Sequence, residues 1–589
     1  MTSCRVPGNV SAGTVIMLSQ SLTCACSRRY SKRAQERCQT RQRAPPGRGR
    51  EGSWYNLSAF APRARLRRLN RPMQSGNQED PATARPPLDG QDRLFATAHL
   101  HSDLRGRSVR GGALTVASQA GRFALNTVSL MALARLLTPA DFGLVAMVQP
   151  LTGFVSAFKD LGLSFATVQK AEVDEGQVST LFWINVLVSL LLTLLGVALA
   201  PLVGLFYGDE RAGWITVALS ATFIFGGLGA QHQAILQRQM RFGSIAFADL
   251  AGLFAGILAA VVAASQGMGF WSLVIMTAVA GAANVALLWW QSAWIPGPPR
   301  HVAKVRDMLG FGGGLTGYFI VNYLIRNADN VLVGRFLGSE ALGYYSRAYL
   351  LILLPMRQIS SPVLPVGIAA LSRLRSEPER FRRYYLRIMQ MMAFAGMPLV
   401  VFTFVCAESL IVLILGEQWQ SCVEIFRALG PAAFLLTFNE AEALIYVPRG
   451  ETARWFRWTL AVAPVYILVY AFGLRWGPVG VAACYSAAMV MLRFPSLAYA
   501  YRGSPLHLSY LLGVLWRPAT ASIAAGLCVF CVLSSRWASG LSPGVAVGGC
   551  LLVYTAAYLV AMVVLPGGRQ VLADLKAIVS ELRASRGVA

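Results

Sequence analysis

Long apolar runs dominate the sequence from Gly111 onward, and they constrain its fold more than any other feature. We predict about fourteen such runs, each near the roughly 20 residues that an α-helix needs to cross a hydrocarbon core. The chain has 589 residues, of which 55% are hydrophobic and 14% are charged. Soluble globular chains average about 45–50% apolar and about 25% charged residues. The sequence therefore favours an all-α, polytopic membrane protein over a soluble enzyme, a DNA-binding protein or a disordered chain.

The predicted spans follow one another closely and are joined by short connections. Their approximate bounds are 112–137, 143–168, 180–206, 213–236, 246–265, 268–290, 309–337, 343–371, 388–415, 424–447, 456–475, 478–500, 511–534 and 544–565. An even number of crossings places both ends of the membrane region on the same side.

The basic residues between the spans are distributed asymmetrically. Loops that follow even-numbered spans, together with the C-terminal tail, contain 20 Lys and Arg residues, whereas the opposite loops contain only Arg211, Arg475 and Arg536. Cytoplasmic loops of membrane proteins carry such an excess of positive charge. The asymmetry predicts that both termini are cytoplasmic.

Residues 1–110 differ in composition from the rest of the chain. The whole chain has a formal net charge of +25, and this segment alone has 20 Lys and Arg against 7 Asp and Glu. The segment is rich in Arg, Pro and Gly, and it lacks the periodicity of a packed core. We interpret it as a basic, disordered cytoplasmic extension. The alternatives are a signal peptide over 10–26, a transit peptide, or a start at Met73, in which case residues 1–72 are not translated.

An internal repeat relates the two halves of the membrane region. Residues 134–144 match 334–344 at an offset of 200, and Gly143 pairs with Gly343 in this alignment. Span 7 therefore repeats span 1, and the six crossings from one to the other give both copies the same orientation.

Such a parallel repeat suits alternating access, in which two halves of a transporter expose a central site to each side in turn. We predict two pseudo-symmetric six-helix lobes followed by two further helices. The predicted domains are the extension 1–110, the N-terminal lobe 111–295, the C-terminal lobe 296–505, and the last two helices with a cytoplasmic tail over 506–589.

The sequence has no signature of a metal, nucleotide or hydrolytic site. Its 10 cysteines show no zinc-ligand spacing, and it has no HExxH, Walker A or nucleophile-elbow motif. Residues 312–317 fit the pattern GxGxxG, but they enter an apolar span and do not follow a strand. Small residues that let helices approach closely fit this pattern better. We therefore predict no cofactor, no metal and no enzymatic activity.

Polar and ionisable residues inside the spans mark the candidate transport site, because charge is expensive to place in a membrane. Arg122 and Asn126 form a stripe on span 1, since they lie four residues apart. Asn322, Arg326 and Asp329 form a matching stripe on span 7. Two such stripes on repeat-related helices predict a polar, partly cationic cavity between the lobes.

The arginines of these stripes are predicted to contact an anionic substrate, because a guanidinium group binds phosphate oxygens in bidentate fashion. The alternative for Arg122 and Arg326 is a structural salt bridge or a side chain that reaches the membrane surface. Arg326 and Asp329, three residues apart, are expected to form an ion pair. Arg357 joins the candidates for the cavity. Other ionisable residues in the spans are Lys159, Asp160, Asp249, Arg347, Glu408, Arg427 and Arg493.

Glu440 and Glu442 in span 10 are candidates for proton coupling, since carboxylates inside transporters often relay protons. They lie two residues apart. On a continuous helix they would therefore point to different faces, and both would not line one cavity easily.

Several segments resemble one family of transporters. They are 135–143, 158–164, 327–338, 342–349 and 378–385. Together they resemble the oligosaccharide flippase (Wzx-like) branch of the multidrug/oligosaccharidyl-lipid/polysaccharide superfamily, and most closely the colanic and teichuronic acid exporter type. The resemblance covers roughly 110–500.

This resemblance implies two six-span lobes and rocker-switch flipping of a polyprenyl-pyrophosphate-linked oligosaccharide across a bacterial inner membrane. It implies a role in exopolysaccharide or lipopolysaccharide biosynthesis, with membrane lipids and polysaccharide polymerase or export machinery as partners and no nucleic acid. The pyrophosphate would contact cavity arginines, and the isoprenoid tail would remain in lipid.

Two other functions are weighed against the flippase. A cation-coupled multidrug exporter of the same superfamily is the alternative, but it would need acidic residues in its cavity, and Asp329 is the only acid in the two stripes. An integral-membrane glycan polymerase or ligase would need a large periplasmic loop for its catalytic groups. All predicted periplasmic loops are short.

Overall fold

The computed structural model describes residues 104–156, 164, 167–168, 173–299, 316–535 and 543–573. Side chains of 104–110, 113 and 316–320 are outside this description. The N-terminal extension up to residue 103, Lys159, Asp160 and the start of the glycine-rich motif at 312 also lie outside it. Within the described residues the secondary structure is entirely helical.

Before the gap at residue 300, the described residues form seven helices. They are α1 (Leu104–Leu136), α2 (Pro139–Ser156), α3 (Glu175–Tyr207), α4 (Glu210–Ala221), α5 (Phe223–Arg238), α6 (Phe242–Ser265) and α7 (Trp271–Ser292).

After that gap the structure describes nine helices. They are α8 (Thr316–Arg373), α9 (Pro378–Val405), α10 (Ala407–Ile414), α11 (Cys422–Leu436), α12 (Ala443–Arg449), α13 (Thr452–Gly473), α14 (Gly477–Tyr501), α15 (Leu508–Leu533) and α16 (Pro543–Val564). Short 3₁₀ turns at Glu417–Trp419, Asn439–Ala441 and Leu474–Trp476 join some of them.

Ten helical stretches among the described residues are long and apolar enough to cross a membrane. Two of them, Val321–Arg373 with 53 residues and Thr452–Tyr501 with 50, exceed twice the roughly 20 residues of one crossing. The prediction of an all-α, polytopic membrane protein is confirmed. The count of about fourteen spans and the symmetry of the two lobes stay predictions.

The corner between α1 and α2 is fixed by a capping box. Thr138 precedes α2, and its backbone N–H and hydroxyl donate to Asp141 Oδ2 at 3.0 and 2.7 Å. The backbone N–H of Asp141 donates back to the Thr138 hydroxyl at 3.3 Å. Pro139 occupies the first helical position, where no intrahelical N–H bond is lost.

The corresponding corner in the second half is a kink inside α8 and not a loop. Gly338 has a φ of 87° and a ψ of 179°, a conformation that is accessible to glycine and strained for other residues. Helix continues on both sides, so predicted spans 7 and 8 are the two arms of α8. At the offset of 200, Gly338 aligns with Thr138.

The two repeat-related corners touch each other reciprocally. A Cβ added at Gly143 would lie 1.7 Å from the carbonyl oxygen of Ser339, and one added at Gly343 would lie 1.9 Å from the carbonyl oxygen of Pro139. Ser339 aligns with Pro139 in the repeat. Gly143 of the first copy therefore contacts Ser339 of the second copy, and Gly343 of the second copy contacts Pro139 of the first. This is the pattern of a two-fold contact, and it joins the start of α2 to the start of the second arm of α8.

Further contacts close the same end of the bundle. Trp419 Nε1 donates to the carbonyl of Ala134 at 2.8 Å, and Gln418 Nε2 donates to the same oxygen. The Arg347 guanidinium lies 4.8 Å from the ring centre of Phe142, a cation–π arrangement. According to the distribution of basic loops, this closed end is the predicted periplasmic end.

Span 10 differs from its prediction as a continuous helix over 424–447. The 3₁₀ turn Asn439–Ala441 separates α11 from α12, and Glu440 and Glu442 lie at this break. The helical-face argument for the two glutamates therefore does not apply, because the backbone between them is not α-helical.

Candidate functional site

A cavity of about 720 Å³ lies among the first seven helices. Its walls come from α1, α2, α5, α6 and α7, together with Ser164 and Thr222. The lining is rich in groups that hydrogen-bond to sugars and phosphates: Arg122, Asn126, Ser156, Ser164, Gln233, Gln237, Asp249, Thr277 and Asn284. Within the part of the chain that the structure describes, Arg122 and Asp249 are the charged residues that line it.

The cavity extends toward the predicted cytoplasmic end. Gln233 and Gln237 lie one turn apart near the end of α5, whose last residue, Arg238, belongs to a predicted cytoplasmic loop. Arg122 and Asn126 contribute from the middle of α1. A ligand that enters from the cytoplasm would therefore meet the amides first and the arginine deeper inside.

The charge of Arg122 is paired across the cavity wall. Its NH2 group lies 2.8 Å from Asp249 Oδ2, and the two side chains are 52% and 31% exposed. Asn284 Nδ2 donates to the other carboxylate oxygen of Asp249 at 2.9 Å. The sequence identified Arg122 and Asp249 as intramembrane charges, but it gave no signal that α1, α6 and α7 bring these three side chains together.

The second predicted stripe does not line this cavity. Asn322 is half-buried, and Arg326 and Arg357 are exposed. Asp329 is 3% exposed and accepts hydrogen bonds from the Tyr345 hydroxyl at 2.9 Å and from the backbone N–H of Asn330 at 2.7 Å.

The expected ion pair between Arg326 and Asp329 is absent from the described part of the chain. The i,i+3 spacing brings the two residues to neighbouring positions, but Asp329 turns into the helix packing toward Tyr345 while Arg326 stays outside. The prediction of this pair was wrong, because packing against the second arm of α8 offered the carboxylate a buried hydroxyl donor.

A cluster of tyrosines surrounds Asp329, and the sequence analysis did not predict it. Tyr345 and Tyr349 stack with ring centres 6.3 Å apart, and Tyr470 and Tyr485 stack at 5.9 Å. Tyr349 and Tyr485 approach within 6.1 Å, which joins the two pairs. The four-residue spacing of Tyr345 and Tyr349 is a helical-face signal, whereas the contribution of α13 and α14 requires the tertiary structure.

Glu442 lies in a buried polar network. Its Oε1 accepts from Ser496 Oγ at 2.7 Å and from Arg493 NH1 at 3.2 Å, and its Oε2 accepts from Trp455 Nε1 at 3.2 Å. These contacts tie α12 to α13 and α14. Glu440 is half-buried at the 3₁₀ turn. A role in coupling stays a prediction for both residues.

Comparison with known proteins gives the family context of this architecture. The model of the family described as "Polysaccharide biosynthesis protein" matches residues 132–424. The chain is 26% identical over 388 residues to the teichuronic acid biosynthesis protein TuaB of Bacillus subtilis, which covers 64% of this chain and 79% of that protein. It is 24% identical over 333 residues to the lipopolysaccharide biosynthesis protein WzxC of Escherichia coli, which covers 55% and 67%.

A solved structure supports the fold. The inward closed conformation of the lipid II flippase MurJ matches with a TM-score of 0.59 at 15% identity, covering 77% of this chain and 98% of that one. At this identity the match concerns the fold alone. The chain is also 25% identical over 360 residues to the succinoglycan biosynthesis transport protein ExoT of Rhizobium meliloti, which covers 61% of this chain and 73% of that protein. These relatives confirm the expectation of a transporter and not an enzyme.

Proposed function

We propose that this protein flips a polyprenyl-pyrophosphate-linked oligosaccharide, because it resembles the Wzx-like oligosaccharide flippases and is similar in sequence to polysaccharide biosynthesis proteins. Movement is from the cytoplasmic to the outer leaflet of a bacterial inner membrane, for exopolysaccharide or lipopolysaccharide synthesis. A polymerase or export complex would then receive the flipped product. The observation that carries this proposal is a polar cavity that holds Arg122 inside an apolar helix bundle.

Each part of such a cargo finds matching chemistry. Arg122 offers a planar donor for the pyrophosphate oxygens. The amides of Asn126, Gln233, Gln237 and Asn284 donate to and accept from sugar hydroxyls. The isoprenoid chain needs no polar partner and remains in lipid, since each buried CH₂ contributes about 0.8 kcal/mol.

The closed end formed by the reciprocal glycines supports alternating access. With this end sealed, the cavity faces the predicted cytoplasmic side, where lipid-linked oligosaccharides are assembled. Opening of the glycine contact would then expose the cargo on the other side.

The multidrug exporter remains the alternative hypothesis, and the cavity does not favour it. Asp249 is the only acid among the described residues that line the cavity, and Arg122 neutralises it at 2.8 Å. A cavity without net negative charge gives a cationic drug little electrostatic attraction.

The first experiment deletes the gene and complements it with variants. Deletion is expected to accumulate polyprenyl-pyrophosphate-linked oligosaccharide and to remove surface polysaccharide, and the wild-type gene restores both. Arg122→Ala should restore export about 10- to 100-fold less well, because it removes a charge-assisted bond of about 1.5–3 kcal/mol. Arg326→Ala tests the second stripe in the same way. Both glycan pools are quantified from extracted lipids and from the cell surface.

Arg427→Ala serves as the matched control. This arginine is 49% exposed and lies 3.7 Å from Glu408, so its loss is expected to leave export unchanged. If the deletion leaves glycan lipids unchanged but alters sensitivity to cationic drugs, the flippase proposal fails and the exporter stands.

A further inference from the structure

Asp249 and Asn284 form a rigid cradle on the cavity wall. Gly252 and Gly256 follow Asp249 along α6 and face α7, where a Cβ added at Gly256 would lie 2.5 Å from the carbonyl oxygen of Met276. A Cβ added at Gly252 would lie 3.0 Å from the backbone N of Asn284. Such close helix contact fixes the two side chains relative to each other.

Arg122 reaches this cradle from a third helix. It belongs to α1, lines the cavity, and its long side chain is 52% exposed. An ion pair at this exposure is weakly stabilised, because water screens the charges. The guanidinium group can therefore leave the carboxylate at small cost, and Asp249 would keep its hydrogen bond from Asn284.

The ion pair also removes the positive charge that an anion needs. Asp249 neutralises Arg122, and among the described residues these are the charged side chains of the lining. A diphosphate that approached the intact pair would meet the carboxylate charge at close range, which is unfavourable. Binding to Arg122 requires that the carboxylate be displaced.

We propose that Asp249 is a resident counter-ion of Arg122 that the diphosphate of the cargo displaces on binding and that reclaims the arginine on release. This proposal rests on the proposed function and deepens it. A diphosphate displaces the Asp249 carboxylate because it has more negative charge and offers two oxygens to the planar guanidinium group. A neutral glycolipid has no group that separates the pair. Asp249 thus selects for an anionic headgroup. When its carboxylate pairs with Arg122 again, the flipped cargo is released.

Inorganic pyrophosphate is the probe for this exchange, titrated into the purified full-length protein and followed by calorimetry. Asp249→Asn should bind pyrophosphate about tenfold more tightly than the wild type, since one competing charge is gone and the shape is kept. Arg122→Ala should lose binding in both the wild-type and the Asp249→Asn background. In cells, Asp249→Asn should export less surface polysaccharide despite tighter binding, because release of the cargo is slowed.

Asp209→Asn is the matched control. Asp209 pairs with Arg211 at 2.8 Å before α4, where the hydrogen bond from the Arg211 guanidinium holds the pKa of the carboxyl below its ordinary value. It does not line the cavity, so pyrophosphate affinity should not change. If Asp249→Asn unfolds the protein, as judged by its melting temperature, Asp249→Ser is measured in the same way.

Two outcomes separate this inference from the proposed function. Equal or weaker pyrophosphate binding by Asp249→Asn, with binding lost in Arg122→Ala, overturns the counter-ion role and leaves the flippase intact. Tighter binding by Asp249→Asn with undiminished export overturns the release step. Failure of the proposed function would be seen separately, as unchanged lipid-linked oligosaccharide in the deletion strain.

Discussion

Gly143→Ala and Gly343→Ala are each expected to abolish polysaccharide export, although each adds a single methyl group. The added Cβ would lie 1.7 Å from the carbonyl oxygen of Ser339 in one case and 1.9 Å from that of Pro139 in the other. Non-bonded carbon atoms rest at about 3.5–4.0 Å, so the helices would have to separate by more than about 1 Å. Both neighbours are backbone atoms, which no side-chain rotation can move away.

The added methyl group destabilises only the conformation in which the glycine contact is closed. Overpacking costs about 1–3 kcal/mol and occasionally more, and 3 kcal/mol lowers the population of the closed arrangement about a hundredfold. The arrangement open at this end does not contain the contact, so the protein should still fold and insert. A cysteine at Leu137, now 2% exposed at the closed end, should become accessible to an impermeant maleimide in either glycine variant.

Gly548→Ala is the matched control for these variants. A Cβ at Gly548 would meet nothing within 4 Å, and alanine favours the helix by about 1 kcal/mol. Export and labelling should therefore match the wild type. The expectation is contradicted if Gly143→Ala or Gly343→Ala behaves like this control. A strong effect of one glycine alone would contradict the reciprocal nature of the contact.

Glu442→Ala is expected to cause a large loss of stability, because it leaves a buried arginine without its carboxylate partner. Arg493 is 5% exposed, and Glu442 supplies its carboxylate partner at 3.2 Å. The remaining contacts of Arg493 are the carbonyl of Phe438 at 2.7 Å and the ring of the same residue. Removal of one partner from a buried ion pair costs about 3–5 kcal/mol, because the other charge stays buried without compensation.

Thermal unfolding of the purified protein measures this effect. Glu442→Ala should lower the melting temperature strongly, and Glu442→Leu combined with Arg493→Met should recover most of the loss, since neither charge then remains. Glu408→Ala, which breaks the exposed pair with Arg427, should cost at most about 1 kcal/mol. If Glu442→Ala melts like the wild type yet loses transport, the network is not structural and the coupling role of Glu442 is favoured.

The helices were predictable because each depends on a local property of the sequence. The apolar runs in α3, α6, α7 and α16 coincide with helices within a few residues of the predicted spans. The cost of placing backbone polar groups in lipid forces any such run into a helix. The break at Asn439–Ala441 escaped prediction, because the apolar residues on both sides of Asn439, Glu440 and Glu442 favour one continuous span. Only the tertiary structure shows where the helix is interrupted.

The candidate site was predictable only in part. Arg122 and Asn126 were identified as members of a polar stripe, and both line the cavity. The pairing of Arg122 with Asp249 and Asn284 was not predicted. These two residues come from other helices, and no spacing rule relates them to α1. Arg326 and Asp329 satisfied a spacing rule and still do not pair, because Tyr345 competes for the carboxylate.

The sequence by itself determined the class of the protein, the bounds of several helices, the internal repeat and the resemblance to known polysaccharide flippases. These follow from transfer free energies and from similarity along the chain, which are properties of consecutive residues. Only the tertiary structure decided that the repeated glycines touch each other, that Asp249 neutralises Arg122, and that Asp329 is buried against a tyrosine. Contacts between helices depend on how the spans pack, and side chains far apart in sequence meet only when packing brings their faces together.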